Sequence, residues 1–170
     1  QRAHQIPLLE VPALESPGKP TIAGICTLAS QDLLAQLRAD DSVIRQAIVG
    51  PLTTENLGVE KLVRTVLQTP DLRFLILCGQ EARGHYGGQA VQALVEHGVD
   101  QDGRIREARG PRPVLANLQV EAIDLFRNQV TVIDLIGCDE VALVRAQLAA
   151  CARDYPGPMA YDAKVMEAQQ

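Results

Sequence analysis

Apolar residues in this chain fall in short, nearly unbroken runs. Between the runs they recur every three or four positions. The runs are TIAGICTL at 21–28, AIV at 47–49, FLILC at 74–78 and VTVIDLI at 130–136. Runs of this length ending at Gly, Pro or hydroxyl residues read as buried strands. Between them, Leu33, Leu34 and Leu37 mark one helix face, and Leu57, Leu62, Val63, Val66 and Leu67 mark another. Residues 88–97 form a third helix. Val120, Ile123, Leu125 and Phe126 mark a fourth, and Val141, Leu143, Val144 and Leu148 a fifth. The punctuation agrees. Ser30 stands as an N-cap, Asp40-Asp41-Ser42 breaks the first helix, and Gly50-Pro51 ends the second strand. Thr53, Thr54 and Asn56 offer capping oxygens, Pro70 closes the following helix, Gly98 stops the next, and Asp139 caps the last. Strand followed by helix, at least four times over, predicts an α/β fold. It is Rossmann-like and three-layered, with a mostly parallel sheet and helices on both faces.

Two segments stand outside this alternation. Residues 1–20 hold Pro7, Pro12, Pro17 and Pro20, too many prolines for a helix or central strand, and read as an arm whose apolar residues dock. Residues 100–117 are rich in Gly, Pro and Arg and read as a long excursion, with a short strand around Val114-Leu115. The domain proper spans 21–155, and 156–170 is a peripheral tail.

The composition narrows the function. The chain has 170 residues, enough for one domain with a real core. Aromatics make up 3% and Trp is absent, so the core is aliphatic and the stacking platforms of single-stranded nucleic-acid binders are missing. A net charge of −5 also disfavours a phosphate-backbone binder. The one basic cluster, Arg104, Arg106, Arg109 and Arg112, is either a solvated loop or an anion or partner contact. The four cysteines, Cys26, Cys78, Cys138 and Cys151, form no CxxC motif and read as reduced thiols of a cytoplasmic protein. No stretch approaches the roughly 18–20 apolar residues of a membrane span.

Ligands of doubly wound sheets bind beyond the carboxyl ends of the strands. Four such ends here share small and hydroxyl residues. They are Thr27-Leu28-Ala29-Ser30, Gly50-Pro51 through Thr53, Thr54, Glu55 and Asn56, Cys78-Gly79 through Gly84 and His85, and Gly137 after the last strand. Neither GxGxxG after the first strand nor a Walker A motif is present, which disfavours nicotinamide and nucleoside-triphosphate chemistry. Of the three histidines, His4 lies in the arm and His97 at a helix end. His85 sits between Gly84 and Gly87-Gly88, where neighbouring side chains leave the ring uncovered. It is either a helix-start histidine bonded to backbone or a ligand to a large flat group. His85-Tyr86-Gly87-Gly88 matches the HxxG half of the corrinoid motif DxHxxG, in which imidazole ligates cobalt from below. Arg83 stands where that motif has Asp, so no acid is seen to orient the ring.

Three blocks, GPLTTENLGVEKLV, RFLILCGQEARGHYGGQ and LVEHGVD, together closely resemble the family of A-type, corrinoid-carrying subunits of tetrahydromethanopterin S-methyltransferase. The resemblance runs from about residue 25 to 150. It implies a cobamide, cobalamin or 5-hydroxybenzimidazolylcobamide, at the carboxyl edge of the sheet, with His85 as the lower axial ligand of cobalt. Loops 27–30, 50–56 and 78–89, Gln89 included, would contact the corrin ring and its nucleotide tail. It further implies a methyl-carrier role. Cobalt(I) accepts a methyl group from a methyl-tetrahydropterin, such as methyl-tetrahydromethanopterin, and passes it to a thiol such as coenzyme M. Other methyltransferase subunits are the implied partners, and the implied location is the cytoplasm or the cytoplasmic face of a membrane complex. This sequence lacks the hydrophobic anchor of archaeal members, and its RGPRPVL stretch departs from the family, which leaves the acceptor open. Two other readings stand beside this one: a cobamide-sensing or protein-interaction module of the same fold, and an α/β enzyme with His85 as general base.

Overall fold

The computed structural model describes residues 20–160. The arm expected at 1–20 and the end of the tail lie almost wholly outside them. Four strands, β1 (Ala23–Cys26), β2 (Ala47–Gly50), β3 (Phe74–Gly79) and β4 (Thr131–Ile136), form one sheet in the order β2-β1-β3-β4. Every pairing is parallel. The helices are α1 (Gln31–Arg38), α2 (Asp41–Ile44), α3 (Leu57–Leu67), α4 (Gly87–His97), α5 (Val120–Gln129) and α6 (Val141–Arg153).

The layers follow from where the apolar stripes go. The stripes of α3, α4 and α5 meet one face of the sheet, packing Val59, Leu62, Val63, Val91, Leu94, Ile123 and Phe126 against Cys26, Leu75 and Leu77. On the other face α1, α2 and α6 pack Leu33, Leu37, Val43, Val144 and Leu148 against Ala23, Ile25 and Ile76. The expected three-layer Rossmann-like architecture is therefore the observed one. Near-continuous apolar strands gain from it because both faces of β1 and β3 are buried.

Some local expectations change. Asp40 does not merely break α1: its carboxylate accepts the Ser42 N–H at 3.0 Å and caps the one-turn α2. Ser30 holds the N-cap position of α1 but its side chain makes no capping bond, and the N-cap of α6 is Glu140 rather than Asp139. The Ser30 hydroxyl accepts the Gln80 N–H at 2.8 Å, and Asp139 accepts from the Gln80 side chain at 2.7 Å. The strand expected at Val114-Leu115 is only a bridge, Arg104 to Val114. The described part of the tail is not loose. The Gly157 carbonyl accepts from Arg73 at 2.7 Å and the Met159 N–H donates to the Pro70 carbonyl at 3.0 Å. Tyr155, the last residue before the tail, donates to the Asp71 carbonyl at 2.7 Å near the amino end of β3.

One buried polar clamp ties the helices to that end. The Gln129 side-chain amide donates to the carbonyls of Val66, Thr69 and Leu72 at 2.9–3.0 Å. Gln129→Leu fills the same space and removes the shared donor: Val66 O and Thr69 O keep the N–H groups of Thr69 and Leu72, while the buried Leu72 O loses its bond. We expect a loss of about 1–3 kcal/mol, read as a lower urea midpoint with an unchanged slope.

Candidate functional site

The chain order places the switch point between β1 and β3, the usual ligand crevice of such a sheet. Here that crevice is stitched across. The Ala29 N–H donates to Gln80 O at 2.8 Å, and the Gln80 N–H donates back to the Ser30 hydroxyl. A Cβ added at Gly79 would lie 2.4 Å from Thr27 O and 2.8 Å from Ser30. Glycine at 79 is thus required twice over, by this approach and by its φ of +75°. Thr27, Leu28, Ala29, Ser30, Cys78, Gly79 and Gly137 therefore form one polar group of loops, joined by Gln80 and Asp139.

The exposed histidine belongs to a second group. Beyond Gln80 the chain runs through Gly84 and His85 to Tyr86, which takes the left-handed conformation (φ 53°) at the start of α4. A non-glycine residue held there stores backbone strain, and it redirects the chain from loop into helix. Gly87 then lies tight against the second strand's loop: a Cβ there would be 3.2 Å from the carbonyls of both Leu52 and Thr54. Gly88 bridges the two groups, its would-be Cβ 3.1 Å from both Leu28 and Glu81. The Glu81 carboxylate accepts the N–H groups of Gly88 and Gln89 at 2.9 and 2.8 Å, holding the α4 N-terminus.

Loop 50–56 is shaped by its capping residues, as expected. Thr54 accepts the Gly58 N–H at 2.7 Å and Asn56 the Leu57 N–H at 2.6 Å, so α3 starts at Leu57. That start turns Glu55 inward, while Pro51 and Thr53 stay on the outer side of the loop. The Glu55 side chain is only 2% exposed, and its two oxygens have separate partners. The His85 Nδ1–H donates to Oε1 at 2.9 Å, and the Arg112 N–H donates to Oε2 at 2.8 Å. Burial alone would raise the Glu55 pKa; the bonds from Arg112 and His85 outweigh it and hold the carboxyl below its ordinary value.

An acid does orient His85, contrary to the expectation from Arg83. It arrives across space from loop 50–56, thirty residues back in the chain. An ionised carboxylate can only accept, so Nδ1 carries a ring proton, and in the neutral imidazole Nε2 is then the nitrogen with the free lone pair. Nε2 has no hydrogen-bond partner among the described residues, and the side chain is 46% exposed. The helix-start reading, a ring bonded to backbone, is therefore not the arrangement found.

A Cβ added at Gly84, the residue before His85, would meet nothing within 4 Å, and the same holds at Gly137 in the first group of loops. Among the described residues no group of three His, Cys, Asp or Glu side chains could cage a bare ion. A metal held at Nε2 would therefore bring its other ligands with it. Thr27 Oγ1, fully buried at the end of β1, is the one buried side-chain polar atom among the described residues without a partner. Burial pushes the Cys78 thiol up to about 12, and Cys26 and Cys151 are also buried, as free thiols.

The sequence profile of the MtrA family, the A-type component of tetrahydromethanopterin S-methyltransferase, matches residues 18–170. The chain belongs to that family. The MtrA protein of Methanocaldococcus jannaschii is 40% identical over 145 residues, covering 85% of this chain and 58% of that protein. The first of the MtrA proteins of Methanobrevibacter ruminantium is 41% identical over 125 residues, 73% of this chain and 51% of the relative. The second of those of Methanothermobacter marburgensis is 46% identical over 106 residues, 62% and 57% respectively. All three carry the name of tetrahydromethanopterin S-methyltransferase. The chain thus spans about half the length of these relatives. No helix among its described residues is long and apolar enough to cross a membrane.

Proposed function

We propose that this MtrA-family domain is a cobamide-binding methyl carrier, with His85 Nε2 as the lower axial ligand of cobalt. The single observation that carries the reading is the bond from the half-exposed His85 ring to the buried Glu55 carboxylate, which engages Nδ1 and leaves Nε2 without a partner among the described residues. Metal-ligating histidines characteristically donate their other ring N–H to a carboxylate, which fixes the tautomer and raises ligand basicity. The residues present fit such a group: an Nε2 without a partner among the described residues, open space beside it at Gly84, and, on the neighbouring loops of the same sheet edge, open space at Gly137 and an unpartnered buried hydroxyl at Thr27. A corrin ring carries its own equatorial ligands, so one protein nitrogen suffices.

When bound, the cobamide supplies a cobalt that can take up and give up a methyl group. The protein's contribution is positional and electronic. Glu55 holds the ring proton on Nδ1 and keeps Nε2 available as a donor. Glu81 and the strained Tyr86 fix the start of α4, and hence the direction from which His85 leaves the backbone. Loops 27–30, 50–56 and 78–89, all at the carboxyl edge, form the bed for ring and nucleotide tail. The relatives' name joins a tetrahydromethanopterin to S-methyl transfer. On that basis the donor is a methyl-tetrahydropterin, the acceptor is a thiol such as coenzyme M, and further methyltransferase subunits present both in the cytoplasm.

The reading is tested by titrating the protein with hydroxocobalamin and following the visible spectrum. One cobalamin bound per chain, with a shifted spectrum relative to the free compound, is expected. Absence of binding across the titration would contradict it.

A further inference from the structure

The Gly-, Pro- and Arg-rich excursion between α4 and α5 keeps all four of its arginines exposed, as a solvated cluster would, yet it is anchored beneath them. It returns to the carboxyl edge and is fastened there by side chains from three elements. Glu60, itself 2% exposed, accepts both the N–H and the side-chain amide of Asn117, at 2.8 and 3.0 Å. The Gln89 side chain accepts the Arg109 N–H at 2.8 Å and donates to the Glu107 carbonyl at 2.9 Å. Asn56 donates to the Arg112 carbonyl at 3.0 Å. The Arg109 guanidinium lies 4.4 Å from the centre of the Tyr86 ring, next to His85. Ile105 and Leu115 plug the segment into the core.

Its tightest contact is with the candidate ligand itself. Gly110 is buried, and a Cβ built on it would lie 2.4 Å from the His85 carbonyl and 2.9 Å from Cγ and Cδ of Glu55. Its φ lies outside the left-handed region, so space alone demands glycine there. Two residues on, the Arg112 N–H occupies Glu55 Oε2. A carboxylate bonded only to an imidazole can turn about its own axis and offer either oxygen. With Oε2 taken by a backbone N–H, Oε1 is left with one direction, towards His85.

We infer that Gly110 and the Arg112 N–H are positioning elements for His85: through Glu55, the excursion fixes the imidazole tautomer with Nδ1 protonated and Nε2 free. The inference concerns the ring in the protein alone and deepens the cobalt-ligand reading, on which its functional meaning rests.

The test uses protein labelled with 15N-histidine, whose ring nitrogen shifts report the tautomer, with His85 assigned by its loss in His85→Gln. In the wild type at neutral pH, one tautomer protonated at Nδ1 is expected. Gly110→Ala crowds the pair, and Arg112→Pro removes the donating N–H. Each should raise the Nε2-protonated population several-fold. Arg112→Ala keeps the backbone N–H and loses an exposed side chain, so it should match the wild type. The Arg112→Pro and Arg112→Ala contrast holds even if Gly110→Ala fails to fold, and Gly110→Ala stands if the proline variant does. An unchanged tautomer in a folded Gly110→Ala or Arg112→Pro protein would overturn the inference. Hydroxocobalamin added to the same samples separates the two claims. Affinity weakened about tenfold in Gly110→Ala and Arg112→Pro is expected. A wild type that shows the single tautomer and binds nothing would sink the cobamide reading and leave the positioning role standing.

Discussion

His85→Ala is expected to abolish the part of the hydroxocobalamin spectral change that comes from a protein nitrogen on cobalt. The bed of loops remains, so cobalamin should still associate, more weakly. Glu55 supplies the reason to expect a clean result. In the variant its Oε1 loses a partner while Oε2 keeps the Arg112 N–H, so the carboxylate stays anchored. The fold should therefore lose no more than about 1–3 kcal/mol, the cost of one unsatisfied group. His85 is half exposed, which lets water replace part of that bond. His85→Gly adds a stricter control: free imidazole at millimolar concentration can enter the vacated space and should restore the wild-type spectrum. Variants that bind cobalamin with unaltered spectra would show that another group occupies the axial position.

Glu55→Ala is expected to have the largest effect on stability and ligand together. It leaves a cavity and strips the acceptor from both the His85 Nδ1–H and the Arg112 N–H. At about 1–3 kcal/mol for each orphaned donor, towards the low end for the half-exposed His85, and with the cavity added, the melting temperature should fall by roughly 5–15 °C. Losing an outer-shell carboxylate typically weakens metal affinity by about 10–100-fold, and the cobalamin affinity should drop accordingly. Glu55→Gln separates the two effects. Its side-chain carbonyl can still accept from one of the two donors, and its volume is unchanged, so stability should recover most of the way. Its amide cannot polarise the imidazole as a carboxylate does, so affinity should stay reduced. Equal affinity in Glu55→Gln and wild type would mean that charge at this position is unimportant to the ligand.

The parts of this molecule that were legible in its sequence are those written in local patterns. Near-continuous apolar strands and three-to-four spacing in the helices carry the element order and the parallel sheet, because β1, β2 and β3 are almost wholly buried; β4, which reads as equally buried, is an edge strand with Thr131 and Asp134 exposed. The glycines around His85 pointed to an uncovered ring, and the ring is half exposed. What escaped was set by distance in the chain. Glu55 sits in a loop whose neighbours, Thr54 and Asn56, read as helix caps, and nothing in its own surroundings marks it as a buried carboxylate aimed at a histidine. The DxHxxG motif has its acid two residues before the histidine, where Arg83 stands, while the acid here comes from the loop after β2. The excursion was hidden for the same reason: its arginines dominate the sequence, yet its grip on the site is made by backbone N–H groups and by Gly110. Ser30 and Asp139 looked like caps because a cap is a local role. The structure commits both to Gln80, just past β3, the strand that separates their own strands β1 and β4.

The most direct test of the central claim is the electron paramagnetic resonance spectrum of the protein loaded with cob(II)alamin and labelled with 15N only at histidine. A nitrogen on the axial position splits each cobalt line, into three for 14N and into two for 15N. If His85 Nε2 is the ligand, labelled protein gives doublets, unlabelled protein gives triplets, and His85→Ala gives neither from the protein. Triplets that persist in the labelled protein would show that the cobamide's own base holds the cobalt, and unsplit lines would show that no nitrogen does; either contradicts the assignment of His85.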